Sequence, residues 1–178
     1  MEKFETERLV LRPFQAKDAA GLFELLSHPR VHCFSADRLD SMEAAVADVA
    51  RRNAAPVQLA VCLKQQDEMI GLMFAAMDEP DTYGLGWHLN TNYEGKGYAS
   101  EAARALIDVL FTHKNARRIY AYVEDDNLRS QKLCERLGMR REGLFMEFIS
   151  FVDNTDGTPR YENTCIYALL KKEWKSSR

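Results

Sequence analysis

The chain reads as a single mixed α/β domain with a helical insertion near its start, and three observations lead there. Its 178 residues are 46% hydrophobic and 29% charged, which supports one substantial core and argues against disorder. From Gln58 onward, apolar runs of strand length alternate with runs whose apolar residues recur at helical spacing. Between one such strand and the helix after it, the stretch from Trp87 to Ser100 carries Gly95 and Gly97 in a turn. A helix start leaves its first backbone N–H groups without intrahelical partners and carries the positive end of the macrodipole, so this turn is an anion site.

In chain order, Arg8 to Pro13 alternates Leu9 and Leu11 with polar or smaller neighbours and stops at proline, as a first strand at a sheet edge does. Asp18 opens a short helix carrying Leu22, Phe23, Leu25 and Leu26, which ends before Pro29. A second helix begins near Asp40, whose carboxylate caps it in capping-box fashion with Glu43. Val46 and Val49 lie on its apolar side, and Asn53 to Pro56 closes it. Gln58 to Lys64 and Met69 to Met77 form a hairpin around a polar turn, and Tyr83 to Leu89 follows as the next strand. After Gly97, the residues Ala103, Leu106, Ile107, Leu110 and Phe111 mark one face of a long helix. Arg118 to Val123 is a strand, and Leu128 to Leu137 is a helix stopped by Gly138. Met139 to Val152 and Tyr161 to Leu170 are the last two strands, joined by a turn-rich segment. Tyr120, Tyr122, Tyr161 and Tyr167 follow strand alternation and read as core. Leu144 to Phe151 is apolar on both faces, which calls for cover on each side or a partner strand; a homodimer would supply one.

A formal net charge of -3 gives no electrostatic case for nucleic acid or an anionic membrane as the main partner. Cys33, Cys62, Cys134 and Cys165 lie far apart with no paired spacing, which argues against a metal site and for reduced thiols. The opening residues are not those of a signal peptide, and no apolar run approaches the ~20 residues of a membrane helix. A cytoplasmic protein is the expectation.

The glycine turn fits neither common nucleotide motif. Lys96 is followed by Gly97 where a Walker loop needs Ser or Thr, and Ser100 stands where a dinucleotide fingerprint needs a third glycine. A turn that uses its glycines only for tightness is the competing reading. The order of elements, however, together with Asn92-Tyr93-Glu94-Gly95-Lys96-Gly97, resembles the GNAT superfamily of acyl-CoA-dependent N-acetyltransferases, whose pyrophosphate loop is Gln/Arg-x-x-Gly-x-Gly/Ala. Asn92 in place of Gln or Arg is the one departure. Further motifs at Glu7 to Phe14, Gly95 to Ala102, Asn127 to Ser130, Leu137 to Gly143 and Glu173-Trp174 are similar to those of the Rim-type branch, named for acetyltransferases of ribosomal-protein N-termini. The resemblance spans residues 7–174 as one N-acetyltransferase domain.

The resemblance implies a mixed, mostly antiparallel sheet of about seven strands with flanking helices, splayed between the fourth strand and the fifth. It implies acetyl-CoA as cosubstrate and no metal. Backbone N–H groups of Gly95, Lys96, Gly97, Tyr98, Ala99 and Ser100 would take the pyrophosphate, with Lys96 itself a phosphate contact or a solvated loop lysine. The backbone edge of Trp87, His88, Leu89 and Asn90 would pair with the pantetheine arm and offer an N–H to the developing oxyanion. Asn127 would hydrogen-bond the same arm, cap a helix, or both. The usual tyrosine acid is replaced by Cys134, which would act as acid or pack beside the cofactor. Ser130 is the acid in the Rim-type pattern, or a capping residue. Glu147, the carboxylate within an apolar strand, is the base if burial raises its pKa; the alternative is a solvated edge-strand glutamate. His88 reads as a hydrogen-bonded structural histidine. The acceptor is a primary amine, a protein or peptide N-terminus on the Rim-type pattern, with small-molecule amines and a non-catalytic acyl-CoA-binding module as the alternatives.

Overall fold

The computed structural model describes residues 1–55 and 57–176; Pro56, placed by the sequence at the close of the second helix, lies outside the described residues. Strands are β1 (Phe4–Glu5), β2 (Leu9–Arg12), β3 (Gln58–Leu63), β4 (Glu68–Glu79), β5 (Thr82–Leu89), β6 (Arg118–Glu124), β7 (Arg140–Asp153) and β8 (Pro159–Leu170). Helices are α1 (Ala19–Leu26), α2 (Met42–Ala54), α3 (Tyr98–Thr112), α4 (Leu128–Arg136) and α5 (Lys171–Ser176), with a 3-10 stretch at His32–Asp37 between α1 and α2. The strands form one sheet in the order β1-β2-β3-β4-β5-β6-β8-β7, antiparallel throughout except for the β5–β6 pair.

The eighth strand is the two-residue β1, too short to leave an alternation in the sequence. It pairs outside β2, so β2 is not an edge strand, and all four of its residues are buried. One face of the sheet packs Leu106, Ile107, Leu110 and Phe111 of α3 and Leu133 of α4 against Val61, Leu85, Ile119 and Tyr167. The other packs Leu22 and Leu26 of α1 and Ala45 and Val49 of α2 against Ala60, Cys62 and Leu72. Helix α2 starts one residue later than the sequence reading: Ser41, in extended conformation, is the cap and its Oγ accepts from Ala44 N–H at 3.1 Å. Its buried stripe is Ala45, Asp48, Val49 and Arg52, and Val46 faces solvent.

The helical insertion is tied to the sheet by an ion pair inside the protein. Arg12 at the end of β2 donates two parallel bonds to Asp18, at 2.7 and 2.9 Å, with side chains only 4% and 1% exposed. Such a fork is the strong geometry for this pair, and the bond to Asp18 raises the guanidinium pKa further.

Strands β5 and β6 pair only at Thr82↔Arg118, Tyr83↔Ile119 and Gly84↔Tyr120. Beyond Gly84 they diverge, while β5 stays paired with β4 as far as Leu89. The result is a V-shaped cleft with an unpaired β5 edge along one arm.

Candidate active site

The cleft opens into a continuous cavity of about 1280 Å³ that runs from the start of α3 through the V to the face covered by α2 and the 3-10 stretch. At its first end, Gly97 caps α3 with φ 83° and Gly95 has φ 73°, both in the left-handed region that glycine alone enters freely. Gly95, Gly97, Tyr98, Ala99 and Ser100 all line the cavity. The turn is held from outside. Glu101 accepts from Arg8 N–H at 2.9 Å, Arg8 Nε at 2.7 Å and Thr6 Oγ1 at 2.5 Å, while Arg8 Nη1 donates to the Lys96 carbonyl at 3.0 Å. Lys96 does not reach the cavity, because its ammonium donates to the Asn92 carbonyl at 3.2 Å and lies 5.3 Å from the Tyr93 ring centre. Asn90 is likewise outside the lining and closes its own turn, its Oδ1 accepting from Asn92 N–H at 3.0 Å. Arg129, Lys132 and Arg136 of α4 flank this end of the cavity. Their spacing of three and four puts them on one helix face, a signal present in the sequence.

Along the V, Asn90 N–H donates back to Ile70 of β4 at 2.9 Å. By the two-residue period of a strand, His88 N–H points the same way, and the N–H groups of Trp87 and Leu89 point to the open edge. Asn127 caps α4, its Oδ1 accepting from Ser130 N–H at 3.2 Å, which leaves its amide nitrogen free to face the cavity it lines. Ser130 also lines the cavity, and its Oγ accepts from Trp87 Nε1 at 3.2 Å. That bond occupies a lone pair and leaves the O–H available to donate.

Two acid–base expectations are corrected. Cys134 is fully buried, outside the cavity lining, and burial pushes its thiol up to about 12. It packs in the core as a small apolar residue. Glu147 is not buried: the β7–β8 register breaks between Phe145 and Ile149, and Glu147 sits in the resulting bulge with φ 46°, exposed and outside the lining. Its N–H is held by Asn163 Oδ1 at 2.9 Å. The bulge turns Phe148, Ile149 and Phe151 to the cavity and leaves Met146 68% exposed, so the apolar run is not covered on both faces. Tyr122 and Tyr161 are exposed as well, at 50% and 59%; Tyr122 lies on the face of β6 that lines the cavity, opposite the α3 core.

The far half of the cavity was largely hidden from sequence reasoning. The helical insertion contributes Cys33, Phe34, Asp37 and Arg52, and β6 and β8 contribute Glu124 and Thr164. The Cys33 thiol lies near Glu124, and its pKa is raised first by burial and further by that carboxylate. His32 pairs with Glu162 of β8, closing the insertion against the sheet. His88 stacks on Phe34 with ring centres 4.4 Å apart, and its Nδ1 is buried without a hydrogen-bond partner, so it is not the hydrogen-bonded histidine expected. Burial, then the Arg52 charge, lowers its pKa to about 4, and the ring is neutral at pH 7. Because the folded state holds this proton less tightly than the unfolded chain, His88 costs stability as pH falls from ~6.5 towards 4. His88→Phe is expected to flatten the fall in unfolding free energy over that window, measured by urea titration at a series of pH values.

A family model described as an acetyltransferase (GNAT) domain matches residues 8–140. The chain belongs to the GNAT acetyltransferase family. It is 33% identical over 171 residues to the uncharacterized N-acetyltransferase YnaD of Bacillus subtilis (strain 168), covering 95% of this chain and 97% of that protein. It is 32% identical over 183 residues to the uncharacterized N-acetyltransferase p20 of Bacillus licheniformis, covering 98% and 99%. A GNAT-family acetyltransferase from Bacillus anthracis has the same fold, with a TM-score of 0.84 at 29% identity over 96% of this chain and 99% of that one. The GNAT member is therefore an acyltransferase.

Proposed function

We propose that this GNAT enzyme transfers the acetyl group of acetyl-CoA to a primary amine, with the α-amine of a peptide N-terminus as the acceptor. The observation that carries the reading is the open β5 edge, which runs from the glycine-capped start of α3 into a cavity with an acidic far half. The five Rim-type motifs support a peptide acceptor over other amines. Acetyl-CoA supplies the activated thioester. Backbone N–H groups at Gly97 to Ser100 bind its diphosphate, and the β5 edge aligns its amide arm as an added strand.

An ammonium has no lone pair, so the acceptor must first lose a proton. Glu124 is the carboxylate at the end of β6 that faces this half, and it takes that proton. Reference α-amines near ~7.7 to 8.0 make this easier than lysine amines near ~10.4. The neutral nitrogen forms a bond to the thioester carbon, and the oxyanion that develops is met by N–H of Trp87 or Leu89. As the C–S bond breaks, the nitrogen releases its extra proton to solvent, and Ser130 O–H donates to the departing sulfur and is reprotonated by solvent. A thiol near pKa ~8.5 leaves readily, so Ser130→Ala is expected to lower kcat only about tenfold, read by steady-state thiol release.

The test is acetyl-CoA turnover, followed as free thiol, over peptides with free and blocked N-termini, polyamines and aminoglycosides. Turnover confined to free peptide N-termini is the expected result. Preference for a polyamine or aminoglycoside would overturn the acceptor, and tight CoA binding with no turnover on any amine would overturn the enzyme reading.

A further inference from the structure

Among the described residues, three buried side-chain polar atoms have no hydrogen-bond partner: Arg52 Nη2, His88 Nδ1 and Thr164 Oγ1. All three residues line the same cavity. They come from α2, β5 and β8, residues far apart in the chain, and they share the face opposite α3. Buried polar groups are nearly always satisfied, and each orphan carries a desolvation cost that a ligand atom would remove. Arg52 is 2% exposed and Thr164 4%.

The unused atoms specify what they would meet. Arg52 spends Nε on Asp48 at 2.7 Å and Nη1 on Gln58 at 3.1 Å, while Nη2 has only a 3.5 Å ionic contact to Asp37. Nη2 therefore keeps N–H groups without a hydrogen-bond partner, able to donate to a neutral carbonyl oxygen. The local charge agrees. Arg51 and Arg52 already face Asp37 and Asp48 in ion pairs, so no surplus positive charge is left to hold an anion. Glu124 across the chamber tilts the balance to acidic. Thr164 is register-paired with Glu124 on the neighbouring strand, so a hydroxyl and a carboxylate stand side by side at the amine end.

We propose that Arg52 and Thr164 are specificity residues of the acceptor site: Thr164, with Glu124, receives the amine, and Arg52 Nη2 donates to the neutral carbonyl oxygen three bonds from it. The acceptor is thus an α-amino amide, the unit found at a peptide N-terminus, and not a free amino acid or a simple alkylamine. This rests on the acetyl-transfer reading above and adds to it which atoms of the acceptor are recognised.

The experiment compares kcat/KM for three amines with one side chain: an amino-acid amide, the free amino acid and the decarboxylated amine. With the wild-type enzyme, the amide is expected to exceed each of the others by about tenfold or more. Arg52→Lys keeps the charge beside Asp48 but loses the directed N–H, and should bring amide and decarboxylated amine within about threefold of each other. Thr164→Val, which removes only the hydroxyl, should lower kcat/KM for all three about three- to tenfold. The wild-type comparison stands even if Arg52→Lys does not fold. Equal use of the decarboxylated amine, preference for the free acid, or a preference unchanged in Arg52→Lys would each overturn this inference while leaving acetyl transfer intact. No thiol release with any of the three amines or with a free N-terminal peptide would overturn both.

Discussion

Glu124→Gln is expected to lower kcat about 100-fold or more while leaving the KM for acetyl-CoA near its wild-type value. The side chain is isosteric, so the packing between the 3-10 stretch and β6 survives. What is lost is a group able to take a proton. The cosubstrate stations are on the other face, at the start of α3 and the β5 edge, and Glu124 touches neither. Glu147→Gln is the paired control: an exposed glutamate in the β7 bulge, outside the cavity, should leave kcat within about twofold. Steady-state thiol release for both variants decides the assignment. A large loss in Glu147→Gln with none in Glu124→Gln would return the base to β7 and require the bulge to close over the acceptor.

The contrast between these glutamates shows where the sequence is legible. The glycine turn before α3 was readable because its cause is local: Gly95 and Gly97 occupy positive φ, and the strand and helix on either side have clear periods. Asn127 and Ser130 were readable for the same reason, since a cap bonds three residues along its own chain. Glu147 was misplaced because alternation assigns faces only in an unbroken strand, and the bulge between Phe145 and Ile149 breaks it. Cys134 packs with Leu133 and Leu137 on the core side of α4, the second of the two readings open to it.

The acceptor half was not legible. Its walls depend on residue 52 of a helix meeting residue 164 of a strand, and no local pattern encodes that meeting. The stripe of α2 compounds the problem. It buries Asp48 and Arg52 as a pair, so a hydrophobic-period reading looks for apolar residues where the protein uses a charge pair, and settles on Val46, which is 55% exposed.

Asp18→Asn is expected to destabilise the protein by about 3 kcal/mol, a fall in Tm of roughly 6–12 °C for a chain of this size. The substitution preserves volume and removes the charge that Arg12 meets through two bonds, leaving a buried guanidinium partly uncompensated. Asp67 still contacts Arg12 at 3.0 Å but is 45% exposed, so it offsets part of the loss and keeps the figure at the lower end for a broken buried pair. The amide also replaces a carboxylate oxygen that accepts from Gln15 N–H at 2.7 Å, the contact that starts the turn into α1. Arg12→Met alone should cost a similar amount, since it strands Asp18. The double variant should lose clearly less than the two singles combined, because neither charge is then left unpaired. Additive losses in thermal or urea unfolding would mean that the two residues act independently and that the fork is incidental. The pair also has a functional reach. It anchors the insertion that carries Phe34, Asp37 and Arg52 to the sheet, whereas Arg8 and Glu101 anchor the α3 turn separately. Loosening it should therefore raise the acceptor KM in Asp18→Asn well below its Tm, with the acetyl-CoA KM held, since the two substrates are positioned by different ties to one sheet.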